Sequence, residues 1–146
     1  MAVVLTAVIC IVTYGQYLNA NLTLQAENQA YVFREICESE ADDVAALRAL
    51  EDSFKSRVTL IAADGSVLFD SAHNETQLEN HLEREEIILA MESGKGSSQR
   101  YSATDGTTNY YYAVKMSDGS IIRVGVHSNQ VFLHTILPNL PVIVLA

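Results

Sequence analysis

Apolar residues in the first half of the chain follow a helical period. Residues 21–54 contain neither proline nor glycine and are rich in Ala, Leu, Glu and Gln, a composition that favours helix. The apolar positions follow alternating four- and three-residue steps, with charged Glu40 and Glu51 at two of the steps; they are Phe33, Cys37, Val44, Leu47 and Phe54. This pattern predicts one long helix over 21–54.

From Arg57 onward the period shortens to two residues. Val58, Leu60 and Ala62 alternate with their neighbours, and Asp64-Gly65 is a dipeptide typical of hairpin turns. Residues 66–69 then return as a second strand. We therefore expect a hairpin here, followed by a polar stretch over 70–76.

The second half predicts a helix and then three strands. Residues 77–93 place four apolar residues on one helical face, and Gly94 and Gly96 are expected to end that helix. Those apolar residues are Leu78, Leu82, Ile88 and Leu89. Strand-like runs follow over 99–103, 109–116 and 120–127, separated by Asp-Gly pairs at 105–106 and 118–119.

This order of elements predicts an α+β fold around one antiparallel sheet. Consecutive hairpin-like strands give five antiparallel strands, and the helix between strands 2 and 3 must cross one face of the sheet. Neighbouring strand residues such as Ile121 and Ile122 are both apolar, as expected of a sheet covered on both faces. The long N-terminal helix is available for the second face.

Charged residues occupy only the middle of the chain, between Glu27 and Arg123. We expect residues 1–20 to be the outer part of a truncated transmembrane helix, with Tyr14 and Tyr17 at the interface. Residues 131–146 are expected to begin a second membrane helix, which leaves 21–130 as the domain between them. A signal peptide is the alternative for the first segment, and a tail that packs on the domain is the alternative for the second.

Composition excludes several classes of function. The 146 residues include 18 acidic and 9 basic ones, a net charge of -9, so nucleic acid is not an expected partner. Length allows one domain. Cys10 and Cys37 predict no disulfide, and the four histidines (His73, His81, His127, His134) lack metal-ligand spacing. No catalytic residues are predicted.

The densest polar cluster covers residues 80–86. On the predicted helix, His81 and Glu85 are one turn apart, and Arg84 lies one turn beyond Asn80. Such a group can close around an anionic or polar ligand at the sheet edge. The favoured alternative is a solvated helix face on which His81 and Arg84 tie the helix to neighbouring loops.

Two strand arginines and a run of tyrosines add candidate ligand-binding residues. Arg100 and Arg123 need a carboxylate, a carbonyl or a bound anion if a helix covers them, and Asp70 is the expected internal partner. Tyr110 and Tyr112 are candidates for a phenol that faces a pocket, although core packing explains most of the run.

Taken in order, these segments resemble the extracytoplasmic sensor region of bacterial membrane histidine kinases, most closely the phosphate-response type. The resemblance covers about residues 57–127 and rests on the run RVTLIAADGSVLFDS from Arg57, then NH at 80, GKG at 94, RYS at 100, YYYA at 110 and IRV at 122, with Arg84 and Glu86. It implies a PAS-like (PDC-type) domain between two transmembrane helices. One departure is Ala62, where the family usually has aspartate at the end of the first strand.

The resemblance also implies a function. The expected role is sensing of a small-molecule or protein signal outside the cytoplasm by a membrane-bound homodimer. Signalling would then pass to a cytoplasmic histidine kinase and its response regulator. Neither lies in this chain, so ATP and Mg²⁺ are expected only for that kinase and no cofactor is expected here. The alternatives are a chemoreceptor or cyclic-dinucleotide enzyme with the same sensor, and a membrane-anchored interaction module.

Overall fold

The computed structural model describes residues 2–102 and 107–127, which form three α-helices, two 3₁₀ turns and five strands. The helices are α1 (Ala2–Ser39), α2 (Asp43–Leu50) and α3 (Glu85–Ser93), and the 3₁₀ turns cover Glu51–Ser53 and Glu75–Gln77. The strands are β1 (Arg57–Ile61), β2 (Val67–Asp70), β3 (Lys95–Ser102), β4 (Thr107–Lys115) and β5 (Ile121–His127).

The five strands form one antiparallel sheet in the order β2-β1-β5-β4-β3. This confirms the predicted sheet. Both Asp-Gly turns that the structure describes adopt the predicted positive φ, at Gly65 (85°) and Gly119 (91°), where a residue without Cβ is favoured. The third Asp-Gly pair, at 105–106, lies outside the described residues.

The two faces of the sheet are covered by different helices, as predicted. α1 lies against β4 and β5, where Ala26 and Ala30 are fully buried and their small side chains allow the helix to approach closely. On this face, Leu60 and Val124 belong to the larger core. α3 covers the opposite face, where Ile87 packs in a second cluster of apolar residues.

The prediction of one helix over 21–54 is wrong in its second half. α1 ends at Ser39, and α2 begins after Asp42, whose carboxylate accepts a hydrogen bond of 2.9 Å from the Ala45 N–H. A side chain that caps a new helix competes with continuation of the old one. The apolar stripe still reaches the core, because Cys37 on α1 and Leu47 on α2 are both buried against the sheet.

The predicted helix over 77–93 is also shorter than expected. α3 begins only at Glu85, because the preceding segment is tied to the β1–β2 turn. The Asn80 side-chain amide donates to the Asp64 carbonyl at 2.8 Å, and the His81 N–H donates to the Gly65 carbonyl at 2.8 Å. Leu78 and Leu82 therefore do not extend the helical face of α3.

Gly94 ends α3 as predicted, with φ of 85°, but Gly96 does not belong to the helix end. It lies in β3, which begins four residues earlier than the predicted strand at 99. A Cβ at Gly96 would lie 2.2 Å from the Glu86 carbonyl oxygen. The glycine therefore allows α3 to rest directly on the edge strand.

Within residues 2–102 and 107–127, no helix combines the length and the apolar character that crossing a membrane requires. The expected second membrane segment, 131–146, lies outside the described residues.

Candidate functional site

A cleft of about 380 Å³ opens between segment 77–84 and the α3-covered face of the sheet. Four of the six candidate residues line it: His81, Arg84, Arg100 and Arg123. The remaining lining residues are Arg57, His73, Gln77, Leu78, Glu79 and Tyr111. The cleft therefore collects arginines from β1, β3, β5 and the start of α3.

Glu86 is the acidic partner of the two predicted arginines. Its carboxylate is fully buried, accepts a hydrogen bond of 2.7 Å from Arg100 and lies 3.4 Å from Arg123 Nη1. The expectation that an internal carboxylate pairs with these arginines is correct. The expectation that this carboxylate is Asp70 is wrong. The reason is α3, which begins at Glu85 and places Glu86 directly over strands β3 and β5.

Burial and hydrogen bonding act in opposite directions on this carboxylate. Burial raises the pKa of Glu86, but the Ser98 hydroxyl, the Glu86 N–H, Arg100 and Arg123 together hold that pKa below its usual range. Burial also lowers the pKa of Arg123 to about 10, although Glu86 opposes this effect. Both groups are charged near neutral pH, so the pair is ionic.

Asp70 instead pairs with Arg57 on the neighbouring strand. The Arg57 Nε lies 3.1 and 3.0 Å from the two carboxylate oxygens, and a second guanidinium nitrogen lies 2.9 Å away. Thr59 joins this pair to Arg123, since its hydroxyl donates to Asp70 at 2.9 Å and accepts from Arg123 at 3.1 Å. Burial raises the pKa of Asp70, but the Arg57 hydrogen bond and others outweigh it and lower the pKa overall.

His81 lies at the inner wall of the cleft and is 4% exposed. Its Nδ1 is buried and has no hydrogen-bond partner in the described part of the chain. Burial and, to a smaller extent, the positive charges of the nearby Arg123, Arg84 and Arg57 together lower the pKa of His81 to about 4. The imidazole is therefore neutral near pH 7, with one donor and one acceptor nitrogen.

Arg84 is placed differently from the other arginines. It is the N-cap residue of α3 and partly exposed, and within residues 2–102 and 107–127 it has no ion pair. The predicted helical spacing of Asn80, His81, Arg84 and Glu85 is wrong, because residues 78–84 are not helical. The non-helical segment nevertheless brings His81 and Arg84 to the same cleft.

Tyr111 was missed by sequence reasoning, which named its two neighbours. The Arg100 guanidinium lies 4.3 Å from the centre of the Tyr111 ring, and that of Arg123 lies 5.2 Å away, which are cation–π distances. Tyr112 faces α1 instead, where its hydroxyl donates to Glu27 at 2.7 Å. Tyr110 lies outside the cleft and accepts a hydrogen bond of 3.2 Å from the Gln99 side chain.

The alternation of side chains along a strand is the sequence signal that could have shown which tyrosine faces the cleft. Successive strand residues point to opposite faces, so the middle tyrosine must face away from the other two. Cross-strand pairing then decides which face that is: Arg123 pairs with Ala113, two residues from Tyr111. Arg57 was also missed as part of the site. Glu86 belongs to the predicted polar cluster 80–86, but its pairing with the strand arginines was missed, because it depends on where α3 begins.

The side chains of the cleft are of the kinds that can recognise an anion. Four arginines, a neutral histidine and an aromatic ring converge there, whereas the structure places no group of His, Cys, Asp and Glu suitable for a metal ion in the part of the chain that it describes. Guanidinium groups bind carboxylates and phosphates through paired hydrogen bonds.

An antiparallel sheet in the order 2-1-5-4-3, with a long helix on one face and a cleft of about 380 Å³ on the other, is a PAS-like α+β fold. The Single Cache-like family model matches residues 16–121, and the chain belongs to this family of extracellular sensor domains. Such domains bind small-molecule signals and are typical of membrane proteins.

No curated protein matches the sequence. Among solved structures, the chain is similar to the Bacillus subtilis YkuI protein, which has an EAL domain and was crystallised in complex with its substrate c-di-GMP and calcium. The identity is 10% and the TM-score 0.49, and the match covers 83% of this chain and 36% of that protein. The chain thus spans about a third of the length of YkuI.

Proposed function

We propose that this chain is the ligand-sensing part of a membrane-bound sensor histidine kinase, and that the cleft beneath segment 77–84 is where the signal binds. The observation that carries the proposal is the cleft itself, which four arginines and the buried residue His81 line. Guanidinium groups bind carboxylates and phosphates through paired hydrogen bonds, so a small anion suits this lining. The family supports the sensing role.

Signal transmission is proposed to run through the sheet to α1. Cleft residues Tyr111 and Arg123 belong to β4 and β5, the two strands that contact α1 on the opposite face. A ligand that binds one arrangement of these elements better than another shifts their population. In a membrane-anchored homodimer, the shift in α1 would change the activity of a cytoplasmic kinase, which uses ATP and Mg²⁺ and phosphorylates a response regulator.

The kinase output is tested by reading the coding sequence past Ala146. We expect a second membrane span, a linker and a helical phospho-acceptor segment followed by an ATP-binding domain. An output domain of another kind would exclude the kinase while leaving the sensor assignment intact.

The sensing site is tested on the full-length protein in membrane vesicles, by measuring autophosphorylation in the presence of a panel of small anions. Leu78→Trp places a large ring in the cleft, and Leu82→Trp is the matched control because Leu82 is exposed and does not line the cleft. We expect L78W to abolish the response and L82W to keep it. Equal responses in both variants would place the sensing site elsewhere.

A further inference from the structure

Segment 77–84 forms one side of the cleft, although residues 78–84 are neither helix nor strand. It connects the second 3₁₀ turn to α3. Half of the residues that line the cleft come from this segment, namely Gln77, Leu78, Glu79, His81 and Arg84. The contacts that hold the segment on the rest of the domain therefore decide how open the cleft is.

The segment is attached to the turn between β1 and β2. The Asn80 side-chain amide donates to the Asp64 carbonyl and the His81 N–H donates to the Gly65 carbonyl, both at 2.8 Å. A Cβ at Gly65 would meet Asn80 Oδ1 and would lie 2.7 Å from the Leu82 Cβ. The segment thus rests directly on the glycine, in a place that a larger residue would fill.

The attached segment buries the imidazole of His81. The residue is 4% exposed, and its Nδ1 has no hydrogen-bond partner in residues 2–102 and 107–127. Both ring nitrogens of a protonated imidazole are donors. Protonation in this position would therefore create a buried cation whose Nδ1 proton has no acceptor among the described residues, which is much costlier than burying the neutral ring.

The charges around the imidazole also oppose protonation. The charged and titratable groups on the surrounding elements are Arg57 on β1, Asp70 on β2, Arg100 on β3, Arg123 on β5, Arg84 and Glu86 at the start of α3, and the exposed Glu79 and His73. Both buried carboxylates among them are already paired with arginines. Burial first, and then the arginine charges, lower the pKa of His81 to about 4, and Asp70 acts in the opposite direction.

We infer that segment 77–84 closes one side of the cleft while His81 is neutral and detaches from the β1–β2 turn when His81 takes up a proton. Once the segment detaches, the imidazolium reaches water, which accepts from both ring nitrogens. The cleft then loses the side that the segment forms, so mild acid opens it. This inference goes beyond the proposed function and holds whether or not the cleft binds a signal.

Hydrogen exchange of the ligand-free chain measures the opening, because local detachment exposes amides without unfolding the domain. The reporters are the hydrogen-bonded N–H groups of His81, Leu82 and Arg84. The pKa of His81 is about 4 in the closed form and about 6.5 when exposed, so between these values only the open form binds the proton. The protection factors of the reporters should fall about twentyfold between about pH 7 and pH 5. They should also stay below that of Val124, on the central strand β5.

A pair of histidine variants assigns the effect to one imidazole. His81→Gln removes the titrating group, so the protection factors of segment 77–84 should no longer change between about pH 7 and pH 5. His73→Gln is the matched control, because His73 also lines the cleft but is exposed. We expect H73Q to keep the twentyfold change of the native chain.

A pair of glycine variants tests the attachment without changing a titratable group. Gly65→Ala and Gly119→Ala both place a Cβ at positive φ, 85° and 91°, in an Asp-Gly turn, so both strain their turns. The Cβ at Gly119 meets only Ala63, at 3.7 Å, whereas the Cβ at Gly65 collides with the segment. We expect G65A to lower the protection of the segment about tenfold or more at neutral pH, and G119A to leave it unchanged.

Several results would overturn the inference. One is a protection factor in segment 77–84 that does not fall on acidification, and another is an H81Q chain that keeps the pH dependence. Exchange of the segment as slow as that of β5 would mean that it opens only when the whole domain unfolds. Equal protection in G65A and G119A would show that the turn does not hold the segment.

If H81Q does not fold, the native chain and the two glycine variants decide the outcome. All of these measurements are made without ligand. Their failure therefore leaves the proposed function standing, to be judged separately by the response of L78W in membrane vesicles.

Discussion

The Arg100 guanidinium donates a 2.7 Å hydrogen bond to Glu86, an acid of α3 whose side chain is completely buried between that helix and the sheet. Arg100 itself is only partly buried, so one end of this ion pair faces the cleft and the other faces the core. The pair therefore joins α3 to the edge strand β3 and holds the charged Arg100 side chain in the lining of the cleft.

Glu86→Gln should strongly destabilise the fold. The change leaves Arg123, which is 3% exposed, without its carboxylate, and breaking a buried pair from one side costs about 3–5 kcal/mol. Urea unfolding measures the loss. Glu85→Gln, at an exposed neighbouring position on the same helix, is the control, and similar stabilities for the two variants would contradict the assigned role.

The neutral state of His81 predicts a loss of stability on mild acidification. Its pKa is about 4 in the folded chain and about 6.5 when unfolded, so between these values only the unfolded chain binds the proton. The free energy of unfolding should therefore fall as the pH falls, by about 2 kcal/mol between about pH 7 and pH 5. This pH range lies above the range in which Glu86 and Asp70 become protonated, because the pKa of each carboxyl is lowered in the folded chain.

His81→Gln is expected to remove most of this pH dependence, measured by denaturant unfolding at each pH. His73→Gln controls for loss of an exposed imidazole. A pH profile that keeps its slope in H81Q would show that another group is responsible.

Gly96→Ala should separate α3 from β3. The added Cβ would meet the Glu86 carbonyl oxygen at 2.2 Å and the Leu89 Cβ at 2.6 Å, and overpacking against backbone costs about 2–3 kcal/mol. The thermal midpoint should fall. Gly15→Ala has open space around it and replaces a helical glycine, so it should be neutral or stabilising by up to about 1 kcal/mol; a comparable loss in both variants would contradict this explanation.

Tyr112→Phe should weaken the attachment of α1 to the sheet. It removes the 2.7 Å hydrogen bond to the Glu27 carboxylate but keeps the ring contact with Tyr31, whose centre lies 6.3 Å away. We expect a loss of about 1–2 kcal/mol in chemical unfolding. Tyr101→Phe is the control because that tyrosine is 69% exposed, and no difference between the two variants would count against the bond.

Local patterns predicted the sheet, since alternating residues and Asp-Gly turns report on nearest neighbours along the chain. They failed where a contact with residues far away in the sequence determines the backbone conformation. In residues 78–84 the apolar and polar positions alternate with a helical period, which predicts a helix. The segment is not helical, because Asn80 and His81 donate hydrogen bonds to the carbonyls of the turn at Asp64 and Gly65. Nothing within the segment itself encodes that partner.

The site was predicted in part for the same reason. Arg100 and Arg123 were recognised because a cation on a covered strand needs a counter-charge, which is a property of the residue and its strand. The identity of the counter-charge and the choice of Tyr111 depend on register between strands. Register is fixed by the whole sheet and cannot be read from one segment.

The position of Tyr111 and Tyr112 on β4 has a mechanical consequence. One ring contacts the cleft arginines and the next reaches Glu27 on α1, so the two surfaces are separated by a single peptide unit, about 3.8 Å between consecutive Cα atoms. Because Tyr111 and Tyr112 are consecutive residues of β4, no packed side chains stand between the cleft contact and the α1 contact. A backbone shift at Tyr111 is thus carried directly to the attachment point of the longest helix.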